Sequence, residues 1–136
     1  MELDFFQAEH VVLLQLSQRL VTVLHGPPDA VLANGLRLSL DRILVSHLAK
    51  EDEHLYPLLK RHPATAAVAI RFEHELGGLA AAWRAFMTDW TLDRIAGDWA
   101  GFGAATHIVL MALAERARLE EDELYPLMSV DQQDAA

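Results

Sequence analysis

The sequence predicts an all-α protein, an antiparallel up-down-up-down four-helix bundle. Three observations predict it. Four long segments carry apolar residues three, four and seven apart, the spacing of one helix face. Proline-containing breaks separate the first three of them. β-branched residues are scattered and never alternate with polar ones over a strand's length. Short connections between long amphipathic segments make neighbours antiparallel.

Each element has its own start and stop. The first helix runs from about Leu3 to His25 and ends at Gly26-Pro27-Pro28, where fixed φ and missing N–H donors stop it. Asp29 is placed to cap the second, which continues to about Arg61 before the His62-Pro63 break. The third covers about Ala64 to Asp89, and Thr91 or Asp93 starts the fourth. Gly97, Gly101 and Gly103 weaken the beginning of that helix by about 1 kcal/mol each relative to alanine. The bundle occupies residues 1–130 as one domain, and the tail from Asp131 to Ala136 is expected to be disordered.

Composition narrows the chemistry. With no cysteine among 136 residues, disulfides, thiolate metal sites and cysteine nucleophiles are excluded. A net charge of -9 without a basic cluster argues against nucleic acid or an anionic membrane as partner. No apolar run approaches the roughly 20 residues that span a bilayer. The start, Met1-Glu-Leu-Asp, lacks the basic and apolar stretches of a signal peptide, so a cytoplasmic protein is expected. There is no glycine-rich phosphate loop, nucleophile elbow or Ser-His-Asp order, and no enzyme is predicted.

The helical stripes hold polar residues where a dry core is expected. Leu3, Phe6, His10, Leu13, Leu20 and Leu24 align on the first helix; Leu36, Leu40, Ile43, His47, Glu51, His54 and Leu58 align on the second. The third stripe is read as Ile70, His74, Gly77 and Ala81, and the fourth as Ile95, Trp99, Phe102, Val109, Leu113, Arg116, Glu120 and Leu127. A buried carboxylate or imidazolium without a partner costs several kcal/mol, so these groups need each other or a metal. The candidate constellation is His10, His47, Glu51, His74, Arg116 and Glu120.

A short phrase also repeats. His47-Leu-Ala-Lys-Glu51-Asp52-Glu53-His54-Leu55-Tyr56-Pro57-Leu58 is matched by Arg116-Ala-Arg-Leu-Glu120-Glu121-Asp122-Glu123-Leu124-Tyr125-Pro126-Leu127. Both copies have a carboxylate four residues after the first position and end in Leu-Tyr-Pro-Leu. They differ at the first position, histidine in one and arginine in the other.

On these residues the chain resembles the hemerythrin family in its HHE cation-binding form. The resemblance implies a four-helix bundle and a non-haem di-iron centre, with His10, His47, Glu51, His74 and Glu120 at ligand positions for one or two ions. Two departures stand out. Ile70 and Gly78 flank His74, leaving one third-helix histidine, and Arg116 replaces the fourth-helix histidine. Arginine stays protonated and cannot ligate. One reading makes Arg116 the counter-ion to Glu51 and Glu120 beside one mononuclear site, for iron with manganese or zinc as other occupants. The other has no metal, only a buried salt-bridge network.

Blander roles are expected for the rest. His25, His62 and His107 read as surface or loop residues; Glu53, Glu121, Asp122 and Glu123 read as a solvated face or as outer partners of the ligands. Glu51-xx-His54 imitates a ferritin-type pair, but His54 sits beside Pro57 at a helix end. Tyr56 and Tyr125 either pack across the bundle end or hydrogen-bond a ligand. The function implied is sensing, binding or scavenging of O2, peroxide, NO or iron, with homodimerisation open. The competing function is a metal-free regulatory or dimerising module.

Overall fold

The computed structural model describes residues 3–128, and the expected tail from Asp131 lies outside them. Helix α1 spans Leu3–Leu24 and α2 spans Ala30–Lys50. A π-helical turn, Glu51–Leu55, leads from α2 into the short α3, Tyr56–Lys60. Then come α4 (Ala66–Leu76), α5 (Leu79–Asp89), the single-turn α6 (Leu92–Gly97) and α7 (Trp99–Leu119). A second π turn, Glu120–Leu124, and the 3-10 turn Tyr125–Leu127 close the described chain. No described residue lies in a strand. No described helix is long and apolar enough to cross a membrane.

The helix starts follow capping chemistry. Asp29 accepts from the Leu32 N–H at the head of α2, as its position predicts. Thr91 caps α6 through the Arg94 N–H, and Asp98 caps α7 through the Gly101 N–H. The fourth helix thus begins in two pieces, because Asp98 offers its carboxylate to the next turn and breaks the run after Gly97. The third is also divided, at Gly77–Gly78, between α4 and α5.

Helix α1 packs on α2 and α7, α5 packs on α7, α6 bridges α2 and α7, and α3 lies against α4. Two apolar clusters result. The larger contains Leu13, Leu20, Leu40, Leu44, Trp83, Phe86, Phe102 and Leu113. The smaller contains Phe6, Leu55, Tyr56, Leu59, Phe72, Leu124 and Tyr125. His10 lies between Phe6 and Leu13 along α1, and Arg116 lies between Leu113 and Leu124, so a polar layer sits where the two clusters meet.

Three details of the predicted stripes are corrected. On α4 and α5 the buried side chains are Ala69, Phe72, Leu79, Trp83 and Phe86, whereas Ile70, His74, Gly77 and Ala81 are exposed. His74 is two residues from Phe72, which is about 200° around a helix. The bulk of Phe72 and Trp83, rather than the histidine, selects the inward face. His54 and Leu127 are exposed as well. The π turns cause this: each wide turn advances the inward face by one residue, placing Leu55 and Tyr56, and Leu124 and Tyr125, inside.

Candidate metal centre

Four side chains converge in the polar layer. His10 from α1, His47 from the end of α2, and Glu51 and Glu120 at the heads of the two π turns are all buried. One ligand atom from each lies within 4.8 Å of every other. His10 Nε2 is 3.2 Å from Glu120 Oε1, and His47 Nε2 is 2.9 Å from Glu51 Oε1. His74 is exposed on α4 and stands outside this group, contrary to the expected ligand set.

The outer nitrogens of both histidines are held by carboxylates. His10 Nδ1 is 2.8 Å from Glu121 Oε1, and His47 Nδ1 is 2.9 Å from Glu9 Oε1. A neutral imidazole carries one N–H. With that proton at Nδ1 facing an acceptor, Nε2 presents a lone pair toward the interior, the arrangement that orients metal-ligating histidines. Gln7 in turn donates to Glu121 at 3.1 Å and fixes it.

The repeat has a structural meaning. Tyr56 donates to Glu120 Oε2 at 2.8 Å, and Tyr125 donates to Glu51 Oε2 at 3.1 Å. Each copy's tyrosine therefore holds the other copy's glutamate. In an α-helix a residue five positions on is rotated by about 140°. The π turn's hydrogen bonds, from the Tyr56 N–H to Glu51 O and from the Tyr125 N–H to Glu120 O, bring each tyrosine back to the glutamate's side. Burial, with the nearby carboxylates, pushes both phenols above their usual range, so they remain donors.

Arg116 completes the layer. It donates to Asp52 Oδ1 at 3.0 Å, to Glu51 Oε1 and Glu120 Oε2 at 3.4 Å each, and to the Leu76 carbonyl at 3.3 Å. Burial alone would lower its pKa, but Glu51 and Glu120 outweigh that and keep it charged. Burial, then the charge of Glu51, pushes the Glu120 carboxyl up to about 7. Burial draws His10 down, yet Glu120 and Glu121 more than compensate and leave it raised. For His47 burial prevails over its contact with Glu9 and lowers it.

The fit to a cation is tested by the unsatisfied atoms. His47 Nε2 and Glu120 Oε1 are buried without a well-directed hydrogen bond, although Glu51 Oε1 lies 2.9 Å from the first and His10 Nε2 3.2 Å from the second. Two imidazole nitrogens and two carboxylate oxygens lie within 4.8 Å of one another, a donor set that suits Fe, Mn or Zn. From the surface, a groove of about 430 Å³ between α1 and α7 reaches His10 and Glu121; Val11, Leu14, Ala114 and Ala117 line its walls.

Sequence reasoning singled out the four side chains that converge here but gave Glu9 no role. Its signal was available as Ala-Glu9-His10, an acid beside a stripe histidine, although the partner is His47 on another helix. Asp52 was likewise unassigned beyond its place in the repeat.

A buried two-histidine, two-glutamate site in a helical bundle defines a cation-binding domain. The model of one family, the Hemerythrin HHE cation binding domain, matches residues 1–128, and the chain belongs to that family. Neither curated proteins nor solved structures gave a match.

Proposed function

We propose that the chain is a small non-haem iron-binding protein that senses, binds or scavenges O2, peroxide, NO or iron itself. The carrying observation is the gathering of four buried ligand atoms, from His10, His47, Glu51 and Glu120, within 4.8 Å of one another, with His47 Nε2 and Glu120 Oε1 lacking a well-directed hydrogen bond. Leaving such atoms unpaired is costly, and a divalent ion satisfies all of them together. Bound there, iron supplies a Lewis-acid centre with coordination positions free for a small ligand. The chain's own residues hold and orient: Glu9 and Glu121 fix the imidazoles, and the two tyrosines fix the glutamates. The α1–α7 groove, lined by Val11, Leu14, Ala114 and Ala117 with Gln7, Arg118 and Glu121, gives a small ligand a path to His10. This reading is of a cytoplasmic binding module rather than an enzyme, folded as an antiparallel up-down-up-down bundle with α4 and α5 as one split helix.

Arg116 favours a second reading, a metal-free regulatory or dimerising domain in which guanidinium and glutamates form a salt-bridge network. Elemental analysis of untagged protein purified without chelator separates the two. The first reading expects Fe, Mn or Zn bound in whole-number ratio, lost in Glu51→Ala together with a lower melting temperature. Absence of metal even after anaerobic Fe(II) loading would leave the second.

A further inference from the structure

The repeated phrase puts different cations at equivalent places. His47 stands four residues before Glu51 and Arg116 four before Glu120, each at the last turn of an α-helix entering a π turn. Both cations meet the glutamate pair: imidazole nitrogens approach Glu51 Oε1 and Glu120 Oε1, and the guanidinium approaches Glu51 Oε1 and Glu120 Oε2. We infer that Arg116 permanently fills one of two cation positions defined by Glu51 and Glu120, so that the centre takes one divalent ion, on the His10–His47 side. This rests on the metal-binding reading above.

Three observations carry the assignment. Arg116 is anchored from outside the pair: its shortest bond, 3.0 Å, goes to the half-exposed Asp52, the Leu76 carbonyl holds Nη1, and the guanidinium lies 5.5 Å from the centroid of the Tyr56 ring. Its bonds to the buried glutamates are both 3.4 Å, longer than the roughly 2.7–2.9 Å of a full charge-assisted bond, so it does not saturate them. Glu120 Oε1 takes no bond from Arg116 and faces His10 Nε2 at 3.2 Å. Charge gives the same answer. The two buried carboxylates share one guanidinium whose shortest bond goes to Asp52, so the pair stays negative enough for an ion to meet. A second dication would have to displace or sit against a fixed positive group at close range, which Coulomb repulsion opposes.

The test is anaerobic titration of the full chain with Fe(II), repeated with Co(II), reading ions bound per chain and the melting temperature. Wild type is expected to bind one ion. Arg116→His, which restores the histidine of the other copy, is expected to bind two; Arg116→Lys, which keeps the charge, is expected to bind one. Two ions in wild type, or one in a folded Arg116→His variant, would overturn the inference and leave metal binding intact. No ion in wild type would sink both. Should Arg116→His not fold, Arg116→Gln gives an independent reading: without the guanidinium the single ion should bind at least tenfold more tightly, and unchanged or weaker binding would overturn the proposal.

Discussion

Glu9 and Glu121 do their work at one atom each, the Nδ1 of His47 and of His10. A carboxylate there sets which ring nitrogen carries the proton and locks the ring plane. Replacing either by glutamine keeps the shape and removes the charge. Loss of an outer partner of this kind costs about 10- to 100-fold in metal affinity. Glu9→Gln and Glu121→Gln should each weaken Co(II) binding by that order, measured by competition with a chelator. The exposed Glu123→Gln should not, and equal effects in all three would show a general charge effect instead.

The tyrosines act at the level of the helical element. Without a π turn after each glutamate, Tyr56 and Tyr125 would point away from the ligands they hold. The Leu-Tyr-Pro-Leu repeat was readable in the sequence; the widened turn before it was not, because i→i+5 bonding has no simple sequence signature. The two glycines between α4 and α5 behave differently although they are adjacent. A Cβ on Gly77 would run into the Glu73 carbonyl, whereas nothing lies near a Cβ on Gly78. Gly78→Ala should therefore raise stability by about 0.4–1 kcal/mol through the unfolded chain's lost freedom. Gly77→Ala should lower it by about 1–3 kcal/mol, as overpacking does. Urea unfolding of the two variants checks the opposite signs; a stabilised Gly77→Ala would refute the close approach.

Across the whole molecule the polar layer couples folding to protons and metal. Glu120 is raised from 4.5 to about 7, so the folded chain holds a proton that the unfolded chain releases, and stability falls as pH rises through that window. His10, also raised, contributes below its ordinary 6.5 and loses that contribution as pH climbs through its folded value. His47, lowered, acts in the opposite sense and costs stability as pH drops through 6.5. The metal-free protein should be less stable at pH 8 than at pH 5.5, by roughly 2 kcal/mol from Glu120 alone. Metal binding needs the deprotonated ligands, so the gain in melting temperature on adding Co(II) should grow over the same interval. Melting curves with and without chelator test this, and Glu120→Gln, uncharged throughout, should flatten the metal-free slope. A slope unchanged by that substitution would remove Glu120 from the explanation.

The sequence by itself determined the helical content, most of the breaks and the candidate cluster His10, His47, Glu51 and Glu120. Periodicity and capping are local, and on α1, α2 and α7 the helically spaced Leu13, Leu20, Leu40, Phe102, Val109 and Leu113 face the core, although Val11, Leu38 and Ile108 on the same helices are exposed. It also exposed Arg116 as the odd member of the repeat. Tertiary structure alone decided that His74 faces outward, because two faces of α4 compete and Phe72 fills the space offered. It alone paired Glu9 with His47 and each tyrosine with the other copy's glutamate. Those contacts join residues far apart in the chain, and local spacing carries no information about which helices meet.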